Sequence, residues 1–223
     1  MSDSTLAAVS GLLALMIVWP RGVWRISRTA VTIAHEGGHA LVAVLSGRRL
    51  SGIRLHSDTS GLTVSRGRAG GPGMVFTALA GYVTPSLLGL GASALVVGGY
   101  TQLLLVVVLT MLLATLFYVR NLYGGFAVVM TAVLIGLVGW YGDPGVRVVF
   151  TAGLAWFLLL GGLRAVAELR RARRRWPGSD ADQLAELTGV HPLAWVGLFL
   201  TVAVGALALG GWLLLGDVVA PWV

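Results

Sequence analysis

The stretch Thr29–Leu45, TAVTIAHEGGHALVAVL, is an apolar run of membrane-helix character that carries His35, Glu36 and His39. On an α-helix, positions i and i+4 lie on one face. The two imidazoles of His35 and His39 can therefore reach a single metal ion. Glu36 stands beside the pair, where a carboxylate can take a proton from an activated water. Ionisable side chains inside a hydrophobic span are expensive and mark function by default. A histidine on an apolar face is ordinarily a hydrogen-bonded core residue, but two at helical spacing with a glutamate between them read as a metal site. Gly37 and Gly38 cost helix propensity in water, whereas in a bilayer small residues let a neighbouring helix approach closely.

The rest of the chain fits a membrane setting. Of the 223 residues, 57% are hydrophobic and only 11% charged, and the mean hydropathy is +0.86. Soluble domains carry about 25% charged residues. Apolar segments fall at 5–19, 29–46, 73–96, 101–119, 124–141, 148–167 and 192–215. This predicts an all-α polytopic membrane protein of about seven transmembrane helices, forming one membrane-embedded domain over 1–223. The first segment lacks a basic leader and a small-residue cleavage site, so it is expected to be a retained helix. Trp19, Trp24, Tyr141, Trp176 and Trp222 fall near segment ends, where interface aromatics belong.

Two connections are long. Within residues 47–72, apolar and polar residues alternate on either side of Asp58–Gly61. This predicts a β-hairpin between the second and third helices. Residues 168–191 form a basic loop holding Arg170, Arg171, Arg173, Arg174 and Arg175, followed by a short helix over 181–188 that Ser179 or Asp180 can cap.

All 16 basic residues are arginine. Their place at the ends of apolar segments fits topology signals and anionic headgroups, and argues against a nucleic-acid partner despite a pI near 11.0. With seven spans and a cytoplasmic N-terminus, twelve arginines fall inside and four (Arg21, Arg25, Arg28 and Arg147) outside. The positive-inside rule favours that orientation, with the hairpin and the basic loop on the cytoplasmic face.

The chain has no cysteine, so a third metal ligand must come from histidine or a carboxylate. The candidates are His56, Asp58, Asp180, Asp182, Glu186 and His191. Asp58 doubles as a turn former, Asp182 and Glu186 as a solvated helix face, and His191 as an interfacial residue. Asp180 is preferred because it sits at a fixed helix start on the face of the His pair.

With these residues in place, the chain resembles the site-2 protease class of intramembrane zinc metallopeptidases, peptidase family M50, and its bacterial M50B-like subgroup. The resemblance is carried by H-E-G-G-H-A at 35–40, by Asp58–Gly61 in the hairpin, by Arg120-Asn121-Leu122 and by 179–188. It covers a core of roughly 29–196. It implies a multi-pass protein of a bacterial-type cell membrane that hydrolyses peptide bonds in membrane-spanning substrates. It further implies zinc bound by His35, His39 and a later aspartate, with Glu36 as general base. The hairpin would pair with an unwound substrate strand, and Asn121 would steady substrate backbone or an oxyanion. The sequence departs from the family in lacking the Asp-Gly and nearby proline that follow the asparagine in other members. Two other functions compete: a non-catalytic metal-binding scaffold, and a metal or proton transporter. The scaffold has no need of Glu36, and a relay predicts polar residues spread over several spans.

Overall fold

A computed structural model describes residues 3–172 and 178–219. Arg173–Arg175, Trp176 and Trp222 lie outside the described residues. The elements run α1 (Asp3–Val18), α2 (Arg21–Leu45), β1 (Arg49–Leu55), β2 (Gly61–Arg66), α3 (Pro72–Val97), α4 (Thr101–Tyr118), α5 (Leu122–Tyr141), α6 (Pro144–Ala172), α7 (Asp180–Thr188) and α8 (Pro192–Val219). The strands form a two-stranded antiparallel hairpin between α2 and α3.

Among the described residues, five helices (α3, α4, α5, α6 and α8) are long and apolar enough to cross a bilayer, or six spans if α1 and α2 count as one broken span. The sequence pattern alone predicts seven. The difference lies at the start of the chain. Helix α1, with 16 residues, reaches only about 24 Å at 1.5 Å per residue, short of a ~30 Å hydrocarbon core. Helix α2 begins at Arg21 rather than near 29, so it takes in Arg21, Arg25 and Arg28. Between the two, Pro20 lacks an N–H and pushes Trp19 out of helical geometry. The chain turns there by 107°.

Polar side chains stitch this corner to α6. Arg164 donates to the carbonyls of Val18 and of Trp19, groups that α1 leaves without helical partners. The guanidinium stacks 4.8 Å from the centre of the Trp24 ring. Glu168 accepts from Trp24 Nε1 at 2.8 Å and pairs with Arg164 Nε at 3.1 Å and Arg28 at 3.5 Å. Trp24 is therefore 3% exposed, a buried anchor rather than the interface aromatic expected. Trp19 and Tyr141 are exposed.

Helix α1 runs in the same direction as α6. Ala7 O accepts from Trp156 Nε1, Ser10 Oγ donates to Val149 O, and Val18 meets Arg164. The start of α1 thus lies at the end of the bundle opposite the hairpin, not on the hairpin's face as a seven-span path requires. The start of α2 lies beside the last turns of α6. Arg21, Arg25 and Arg28 consequently join the hairpin end, and among the described arginines Arg147 alone belongs to the other end.

The bundle core relies on small residues. A Cβ on Gly89 would lie 2.9 Å from Leu159, and one on Gly162 would lie 2.5 Å from Ser86 Oγ, so α3 and α6 touch nearly backbone to backbone. Short α7 buries Ala181 and Leu184 among Ala78, Val166 and Phe199. That apolar contact seats α7 across the ends of α3, α6 and α8.

Candidate metal centre and catalytic site

Two glycines bring α3 against the histidine face of α2. A Cβ on Gly38 would fall 2.2 Å from Thr84 Oγ1, so only glycine permits this crossing. Gly81 of α3 sits opposite the His pair, and a Cβ there would lie 2.3 Å from His39 Nε2 and 2.6 Å from His35 Cε1. The missing side chain is what lets both rings lie against α3.

Asp180 reaches both rings from α7. Its Oδ2 lies 3.3 Å from His35 Nε2 and 3.2 Å from His39 Nε2, and the two nitrogens are 3.1 Å apart. Among the described residues this is the group of three that could hold a metal ion. A tetrahedral ion bonded at about 2.0–2.1 Å holds its ligands about 3.3 Å from one another. The three atoms therefore span a triangle of the right size for one face of such a shell.

The hydrogen bonds agree with that reading. His39 Nδ1 lies 2.7 Å from Thr77 O. A carbonyl can only accept, so Nδ1 carries a proton, and in the neutral ring Nε2 then presents a lone pair. Asp180 Oδ2 is buried with no hydrogen-bond donor, although it is within ion-pairing distance of both rings. Both observations fit unprotonated nitrogens facing Asp180, the form in which the three atoms could hold a cation. The donor set, one carboxylate and two imidazoles without thiolate, suits zinc.

The local sequence explains how Asp180 is free to do this. Ser179 is the N-cap of α7, and Asp182 completes a capping box with it. Asp182 Oδ2 accepts from Ser179 N at 3.0 Å and from Ser179 Oγ at 2.7 Å. With the helix start satisfied by its neighbours, Asp180 has no capping duty.

The other candidates lie elsewhere. Asp58 and His56 are engaged with Ser60 in the exposed hairpin turn, and the Ser60 hydroxyl holds the Asp58 carboxyl below its ordinary value. Glu186 is exposed on α7. His191 caps α8 through Leu193 N at 3.2 Å.

Glu36 is 4% exposed and lies beneath the hairpin. Thr63 Oγ1 of β2 donates to its Oε2 at 2.7 Å. Sequence reading does not single out Thr63, since an alternating strand gives no sign of which inward residue meets the helix. Tyr82, also not singled out, packs edge-on against His35 with ring centres 4.7 Å apart and fixes that ring. Asn121 uses its amide to bracket the hairpin. Its Oδ1 accepts from Leu55 N at 3.2 Å and its Nδ2 donates to Leu55 O at 2.6 Å. The outer edge of β1 is thereby closed, with Arg120 N also donating to Ile53 O.

Compared with known proteins, residues 8–210 match the family model described as Peptidase M50B-like. No match is found among curated proteins or solved structures.

Proposed function

The chain belongs to the Peptidase M50B-like family, and from that premise we propose that it is an intramembrane zinc metalloprotease that cuts membrane-spanning protein or peptide substrates. The observation that carries the proposal is the 3.1–3.3 Å triangle of His35, His39 and Asp180 with buried Glu36 one residue along α2.

His35, His39 and Asp180 would hold zinc, with Thr77 O and Tyr82 fixing the two rings. When bound, zinc supplies Lewis acidity for the attack of water on a peptide carbonyl. Glu36 takes the proton from the attacking water and passes it to the leaving amine. Its burial keeps bulk water from competing for that proton. A substrate helix satisfies its own carbonyls and must unwind locally before cleavage, so segments weakened by glycine or proline are the favoured targets. Asn121 serves this chemistry indirectly, by holding the hairpin against the site through Leu55.

We further propose that the site end of the bundle faces the cytoplasm of a bacterial-type cell. The described arginines, Arg147 aside, all belong to that end, which is what the positive-inside rule asks of a cytoplasmic face. Both the start of α1 and the end of α8 then lie on the outer side, a change from the cytoplasmic N-terminus read from seven spans.

The test pairs zinc analysis with cleavage of a single-pass helix carrying a Gly-Pro weakened segment. Wild type is expected to hold about one zinc ion per chain and to cleave. Glu36→Gln is expected to keep the ion and lose at least about 100-fold in rate. Cleavage that survives in Glu36→Gln, or a zinc-loaded wild type that cleaves nothing, overturns the proposal; the second result favours a scaffold.

A further inference from the structure

Glu36 is held from the hairpin as well as from its own helix. Thr63 Oγ1 lies 2.7 Å from Glu36 Oε2 and 3.2 Å from Glu36 O. A hydroxyl has one proton to give, and the shorter, charge-assisted contact takes it. Two residues earlier on the same face of β2 stands Gly61. A Cβ there would lie 2.4 Å from Glu36 Oε1 and 2.6 Å from Glu36 Cγ. One carboxylate oxygen is thus tied to a hydroxyl while the other passes against bare backbone, so the two oxygens have different surroundings.

The hairpin keeps this position without help from the metal ligands. Thr32 Oγ1 donates to Thr59 O at 2.9 Å and fastens the turn to α2. Thr59 adopts a left-handed φ of 68° and is 3% exposed, so the turn is seated rather than free. Asn121 and Arg120 fasten β1 from the other side.

We propose that Thr63 is a positioning residue for the general base: it fixes which Glu36 oxygen faces the reacting water, so that the base is competent only with the hairpin docked. The inference rests on the peptidase reading. A glutamate has three side-chain torsions, and fixing them beforehand removes that ordering cost from the reaction itself. The hydroxyl that does so lies 27 residues away in sequence, on an element that carries no metal ligand.

The experiment uses zinc-loaded full-length protein in vesicles and the Gly-Pro weakened helix as probe. Thr63→Val removes the hydroxyl at nearly constant volume, and Thr63→Ser keeps it. The expected result for Thr63→Val is a kcat lower by about 10- to 100-fold. KM, zinc content and melting temperature stay near wild type, and Thr63→Ser recovers most of the rate. In a Glu36→Gln background, Thr63→Val has no additional effect, because the group it orients is already disabled. The inference is overturned if Thr63→Val retains wild-type kcat, if its rate falls only in step with lost zinc or lost folded protein, or if Thr63→Ser is as impaired as Thr63→Val. A wild type that holds zinc and leaves the probe intact defeats the peptidase reading itself, whereas a wild type and a Thr63→Val variant that cleave equally well defeat only the role of Thr63.

Discussion

Gly81 of α3 and His39 of α2 stand so close that a methyl group on the glycine would lie 2.3 Å from the imidazole Nε2. An alanine side chain would push against the ring that carries a ligand nitrogen and displace it. Gly81→Ala should therefore lower zinc affinity by at least about tenfold, the scale on which groups around a metal act. Alanine is a better helix former than glycine by about 1 kcal/mol, so a helix that has simply failed would not explain the loss. Zinc titration followed by far-ultraviolet circular dichroism checks both halves of the expectation.

Asp180→Ala removes the only carboxylate in the triangle while leaving the Ser179–Asp182 capping box in place. Zinc affinity should fall sharply and α7 should stay folded. Asp182→Ala should do the reverse, with a cap loss of about 1 kcal/mol and metal retained. Hydrogen exchange over 180–188 with zinc analysis separates the two. Chelating the metal from wild type should speed exchange at the start of α7, because the buried Asp180 carboxylate then has no counter-charge to hold it.

Gly37 and Gly38 are neighbours with unequal duties. A Cβ on Gly38 meets Thr84 Oγ1 at 2.2 Å, whereas one on Gly37 has Thr115 Oγ1 at 3.9 Å as its nearest contact. Gly38→Ala should destabilise the α2–α3 crossing by about 1–3 kcal/mol, the usual scale of overpacking. Gly37→Ala should be neutral or slightly stabilising. Thermal melts in a single detergent rank the two, and equal melting temperatures would contradict the packing described.

The orientation is open to a direct test because the chain has no native cysteine. Single cysteines at Thr5 and Asp143 should react with a membrane-impermeant thiol reagent in intact cells, and one at Ala69 should react only after lysis. Labelling of Ala69 but not Asp143 in intact cells would reverse the assignment, and labelling of Thr5 together with Ala69 would break the six-span path.

What the sequence makes legible is what depends on nearby residues. The i, i+4 spacing of His35 and His39, the alternation on either side of Asp58–Gly61 and the apolar lengths of α3 to α6 and α8 all follow from local pattern. Asp180 is one of six candidates that a chain without cysteine offers, preferred for its place at a helix start, and it lies beside the His pair. The errors arise where a distant partner decides the outcome. Arg21, Arg25 and Arg28 read as an outer loop because nothing in their own segment announces Glu168, which pairs with Arg28 and draws the start of α2 to the end of α6. Trp24 carries an interface composition and is buried by the same partner. Asn121 reads as free for substrate, yet its amide matches the backbone of Leu55, 66 residues away. Backbone acceptors and donors are common to almost every residue, so sequence gives no mark for such a match.

The division of labour at the head of α7 has an evolutionary consequence. Because Ser179 and Asp182 secure the helix while Asp180 faces the His pair, a descendant of a metal-binding ancestor could lose its ion with one substitution and inherit an intact scaffold. Inactive members of such a lineage would then be recognisable by a surviving cap beside a vanished ligand.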